Sequence, residues 1–149
     1  MSSESSSLLL SALKQFPTVT TAFGLDVNAT YLASLREQLA GRADERKVRL
    51  VRGNFFATDW AAMLAGLPEP LLVIGNPPWV TNAQLGSLGS ENLPVKSNFQ
   101  KHAGLDAITG KSNFDISEWM LIRLMESLNG RRGTLAMLCK TAVARKVLF

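Results

Sequence analysis

The chain has 149 residues, 46% hydrophobic and 19% charged, with a formal net charge of +4. That balance describes an ordinary globular chain of one domain at most and excludes a disordered polymer; the mild basic bias is compatible with a nucleic-acid partner without establishing one. A single cysteine, Cys139, and a single histidine, His102, exclude an internal disulfide and any metal centre built on cysteine or histidine.

Met1 to Ser7 carries no basic residue ahead of the short run Leu8-Leu9-Leu10, which is not a secretory leader. No apolar stretch approaches membrane-spanning length, so the expectation is a cytoplasmic chain without a membrane partner. Ser5 to Ser7 can cap a helix through Leu8, Leu9, Ala12 and Leu13 to Gln15, which Pro17 stops. Val19 to Asp26 is β-rich and finishes on an acid. Asn28 is the expected N-cap of a second helix, with Tyr31, Leu32, Leu35 and Leu39 on its apolar face and Gly41 as its stop. Lys47 to Val51 alternates as a strand and leads into Gly53-Asn54-Phe55-Phe56. A short helix follows, capped by Thr58 or Asp59, carrying Trp60, Met63 and Leu64 and ending at Gly66.

Leu71-Leu72-Val73-Ile74 is a continuous apolar run, the pattern of a central parallel strand buried on both faces. Asn76-Pro77-Pro78-Trp79 stands directly behind it. From Val80 to about Lys111 the sequence is polar and rich in Gly, Ser and Asn, predicting a long functional loop. Asp115 then opens a strongly apolar helix through Ile116, Trp119, Leu124 and Leu128 that Asn129-Gly130 ends. Gly133 to Leu138 reads as a last strand. The order α-β-α-β-α-β-loop-α-β predicts an α/β fold with parallel strands and right-handed crossovers. The basic residues Arg36, Arg42, Arg46, Lys47, Arg49 and Arg52 surround the second strand. They are expected to form a solvated face away from the catalytic end, a DNA-binding stripe being the sharper alternative.

Asn76 to Trp79 offer what is needed to hold a planar exocyclic amine. Asn76 supplies a side-chain carbonyl, Pro77 contributes no competing N–H, and two prolines stiffen the turn. Trp79 supplies a large π-face for a nucleobase. A turn that merely ends a buried strand is the plain alternative, but ligands of open α/β sheets bind where these residues fall, beyond the carboxyl ends of strands.

This tetrapeptide resembles motif IV of the amino-group methyltransferases that use S-adenosylmethionine, which carry Asn, Asp or Ser, then Pro-Pro, then an aromatic residue. Asn in first position is most typical of the DNA N6-adenine enzymes. The resemblance implies a partial Rossmann-like class I methyltransferase sheet with helices on both faces. It implies S-adenosylmethionine as cofactor, DNA as partner and Asn76, Pro77, Pro78 and Trp79 as the catalytic set. Gly24-Leu25-Asp26 resembles motif II, which assigns Asp26 to the cofactor ribose. Gly53-Asn54-Phe55 stands where the family places a polar group and a hydrophobe against the cofactor adenine, with Asn replacing the usual Asp. Asn54, Phe55 and Asn76 would complete the cofactor contacts. Ser112 to Ile116 resembles motif V with Ser117 in place of an aromatic, and Gly133 to Leu138 with Lys140-Thr141 resembles the motif VI strand and its trailing loop.

One family feature is absent from the sequence. The Gly-x-Gly loop of motif I, expected before the first helix, has no counterpart between Met1 and Pro17. The expectation is a partial catalytic domain over residues 1–149 that holds motifs II to VI. Motif I and a target-recognition domain would be supplied elsewhere, and the missing central strand would leave a gap in the sheet with unpaired edges. Protein-glutamine N5 and ribosomal-RNA guanine-N2 methyltransferases carry similar turns and are alternatives, as is an inactive fragment.

Overall fold

The computed structural model describes residues 4–79 and 115–149. The expected loop from Val80 to Lys111, and Ser112 to Phe114 of the motif V match, lie outside the described residues. In chain order the elements are α1 (Glu4–Gln15), β1 (Ala22–Asp26), α2 (Ala29–Leu39), β2 (Val48–Arg52), α3 (Trp60–Ala65), β3 (Leu71–Gly75), α4 (Ile116–Leu128), β4 (Gly133–Met137) and α5 (Thr141–Leu148).

Helix boundaries follow the capping chemistry of the sequence. Asn28 Oδ1 accepts the N–H groups of Thr30 at 2.9 Å and Tyr31 at 3.3 Å. Asp59 accepts from Ala62 at 3.0 Å, settling which of two candidate residues caps α3, and Asp115 accepts from Ser117 at 3.0 Å. Each side chain satisfies amides that the first helical turn leaves without partners. Gly41 and Gly130 follow the ends of α2 and α4 at φ 74° and 76°, a left-handed conformation that a Cβ would strain.

The strands pair in parallel as expected, but they form two sheets rather than one. β1 pairs with β2, from Ala22 opposite Val48 to Asp26 opposite Arg52. β3 pairs with β4, from Leu71 opposite Gly133 to Gly75 opposite Met137. Among the described residues no strand pairs with the free edges of either sheet. Helix α1 touches both sheets. Leu9 packs over Gly24 of β1, and α1 also contacts α2 and β3.

Side chains alternate across β1 and β2, so the two faces meet different partners. Ala22, Val48 and Leu50 join the core of Leu13, Leu35 and Leu39 beneath α1 and α2. On the opposite face Phe23, Leu25 and Val51 line a cleft of about 690 Å³, with Met63 and Leu67 at the α3 side. Helices therefore pack on one face of this sheet, and the other face opens on the cleft.

β3 departs from its expected burial. Leu71 is buried, near Leu128 of α4 and packed at Gly133, whereas Leu72 keeps 42% exposure on the other face. A continuous apolar run predicts cover on both sides, and β3 has it on one. The second correction is α5: Lys140-Thr141 reads in sequence as a trailing loop, but Thr141 opens a helix with Val143 buried. No side chain caps its start, and Lys140 is not a residue type that marks an N-cap. The basic group is also less uniform than expected. Arg52 stands opposite Asp26 at the carboxyl end of β2, and its Nε donates to Val27 O at 3.2 Å.

Candidate functional site

Polar and aromatic residues collect at the carboxyl ends of both strand pairs. Beyond β3 lies the corner: Asn76 is exposed, Pro77 is buried, and Pro78 and Trp79 are exposed. Buried Pro77 anchors the turn while its neighbours face outward. Trp79 is 53% exposed, yet its ring is tethered, because the indole N–H donates to Leu138 O at 3.2 Å. Leu138 in turn donates its N–H to Gly75 O at 3.0 Å, extending the β3–β4 pairing to the foot of the corner.

Behind the corner the start of α4 carries a buried ionic site. Asp115 is buried and Ser117 fully so. Asp115 Oδ1 accepts both the amide of Ser117 at 3.0 Å and its hydroxyl at 2.6 Å, and Oδ2 lies 3.1 Å from Lys140 Nζ. Burial acts to raise the Asp115 pKa. The hydrogen bonds from Ser117 and Lys140 more than offset it and leave the carboxyl below the ordinary carboxylate range. One turn along, buried Glu118 pairs with Lys146 of α5 at 3.4 Å. Ser117, at the position where the resemblance leads one to expect an aromatic, spends its hydroxyl on orienting Asp115. Sequence reasoning missed Lys140 as a partner; its place just after a strand and before an uncapped helix was the only available sign.

At the end of β1, Asp26 Oδ1 accepts the N–H of Asn28 at 2.7 Å, so one of its oxygens is spent on the turn that leads into α2. Oδ2 takes no hydrogen bond among the described residues, leaving a carboxylate oxygen for a ligand hydroxyl. Beside it, Gly53 N–H donates to Asp26 O at 3.0 Å. Asn54 Oδ1 accepts from Phe56 N–H at 2.9 Å, which commits one lone pair of the oxygen expected to meet adenine. Phe55 stands in an aromatic cluster, with ring centroids 4.5 Å from Trp60 and 6.2 Å from Trp119. Phe56 lies 5.1 Å from Trp119. Asp26, Asn54 and Phe55 therefore gather at one pair of strand ends and Asn76 to Trp79 at the other, with no hydrogen bond joining the groups among the described residues. A carboxylate with one open oxygen and an amide one strand away are donors and acceptors suited to a nucleoside.

Parallel strands with intervening helices define an α/β protein, and ligands of open α/β sheets bind beyond the carboxyl ends of strands, where these polar and aromatic side chains collect. Among proteins of known function, the chain is 55% identical over 126 residues to the type II methyltransferase M.NspV of Nostoc sp.. The match covers 85% of this chain and 26% of that protein, so the chain spans about a quarter of the relative's length. No protein-family model matches the chain, and no solved structure does. No helix among the described residues is long and apolar enough to cross a membrane.

Proposed function

We propose that this chain is part of an S-adenosylmethionine-dependent methyltransferase that modifies the N6 amine of adenine in DNA. The observation that carries the reading is the exposed Asn76 and Trp79 around buried Pro77 at the end of a parallel strand. The 55% identity to a type II methyltransferase supports it. Residues 1–149 would be the motif II to VI part of a Rossmann-like catalytic domain, completed by segments carrying motif I and target recognition.

A nucleobase amine is a poor nucleophile because its lone pair is delocalised into the ring. Asn76 Oδ1 and the Pro77 carbonyl would each accept one N–H, drawing the nitrogen toward tetrahedral geometry and freeing the lone pair. S-adenosylmethionine, when bound, supplies an electrophilic methyl group. Asp26, with Asn54 beside it, would hold its nucleoside part. The amine would release its proton to solvent only after its lone pair had displaced sulfur from the methyl carbon, so the chain would need no strong general base. Orientation and fixed dipoles carry the rate gain. The target base would leave the duplex and stack on Trp79.

The test is Asn76→Ala in the longer protein. Methyl transfer to DNA should fall by roughly 100-fold or more, while calorimetric affinity for S-adenosylmethionine stays near wild type. Unchanged turnover overturns the assignment. Assays on release factor and ribosomal RNA in parallel discriminate the glutamine and guanine alternatives. A second reading, a chain inactive by itself, is favoured by the open edges of β1 and β3; micromolar binding of S-adenosylmethionine by residues 1–149 would refute it.

A further inference from the structure

The segment after β4 is tied to its surroundings at three points. Leu138 N–H holds Gly75 O, Leu138 O holds the Trp79 indole, and Lys140 holds Asp115. The first two bonds run to the corner and the third runs to the buried start of α4. Resting on the reading of Asn76 to Trp79 as the amine-binding corner, we propose that Lys140 and Asp115 are positioning residues. They fix the Leu138 carbonyl so that it sets the plane of the Trp79 ring.

The chemistry of the ring favours this. Of the three aromatic residues compatible with a stacking role, only tryptophan carries an N–H on the ring edge. Phenylalanine has no donor, and the tyrosine hydroxyl projects from the far end of its ring. Trp79 is half-exposed, so packing restrains its ring over only part of its surface. One directional bond to a fixed carbonyl restores that restraint. The carbonyl is only as fixed as its strand end, and that end is pinned two residues later. Asp115 is a firm anchor because burial and the Ser117 hydroxyl leave its second oxygen one orientation, toward Lys140. Lys140 itself is partly exposed and belongs to no core cluster, so its replacement changes the tether with the fold intact.

The experiment follows the indole proton of Trp79 by nitrogen-15 NMR on the full chain, its resonance identified by its loss in Trp79→Phe. In the wild type this proton should exchange with water more slowly than that of free indole. Lys140→Met should speed its exchange roughly fivefold, the population change expected when one hydrogen bond is lost. Asp115→Asn should do the same, the double variant no more than either, and Lys140→Arg should restore protection. Exchange at the free-indole rate in the wild type overturns the proposal, as does an unchanged rate in Lys140→Met. Because no readout involves methyl transfer, failure here leaves the amine-binding reading standing. An active Asn76→Ala enzyme, conversely, leaves the tether standing and removes its purpose.

Discussion

The two strand pairs hold their functional residues by different means. At the end of β1 and β2, Asp26 and Asn54 are held by bonds to residues two positions away. At the end of β3 and β4, Trp79 is held by a carbonyl 59 residues on, and Asp115 by a lysine 25 residues on. The first half can form its local geometry as soon as its turns form. The second requires β4 and α5 to be in place. Local caps give a site whose polar groups are partly spent on the backbone, whereas long-range tethers leave Asn76 uncommitted and outward-facing.

The contrast can be broken at several points. The largest effect expected is on chemistry, from Asn76→Ala as above. Asp26→Ala in the longer protein should weaken S-adenosylmethionine binding by roughly 10- to 100-fold, the range for a charge-assisted hydrogen bond, as read by calorimetry. Equal affinity would mean that Asp26 serves the turn before α2 and nothing more. For stability, Leu124→Ala in the α4 core should cost about 2–5 kcal/mol in urea unfolding, because Leu124 is almost fully buried.

Acid sharpens the comparison. The folded pKa of Asp115 lies below its unfolded value, so its contribution is complete above the ordinary carboxylate range and is lost as pH falls through the depressed value. Lys140 and Ser117 contact it directly, and the Glu118–Lys146 pair lies one turn away. Urea midpoints measured from neutral to acid pH should drop less steeply in Asp115→Asn than in wild type. The smallest effect is expected from Asn28→Ala, about 1 kcal/mol for a lost N-cap, with the corner untouched.

Much of this was legible because it is local. Asn28, Asp59 and Asp115 announce helix starts, and Gly41 and Gly130 announce stops, through side-chain and backbone preferences that act within a few residues. The corner could be found for the same reason: Asn76 to Trp79 are contiguous. What escaped was non-local or lacked a polar mark. Nothing within Leu71 to Ile74 tells that only one face is covered, since burial belongs to what packs on a strand. α5 opens at Lys140 without a capping side chain, and Lys140 meets Asp115 only after β4 has brought them together. Phe55 and Trp60 look alike as ligand platforms or core until their rings are seen to touch.

The break in the sheet bears on how the chain comes apart. A backbone ladder transmits cooperativity from strand to strand, and here the ladder stops at β1 and begins again at β3. What spans the interval is packing, such as Leu9 of α1 over Gly24. Heating should therefore melt the halves as separable units, with broadened calorimetric transitions, until something bridges both edges with its own peptide groups.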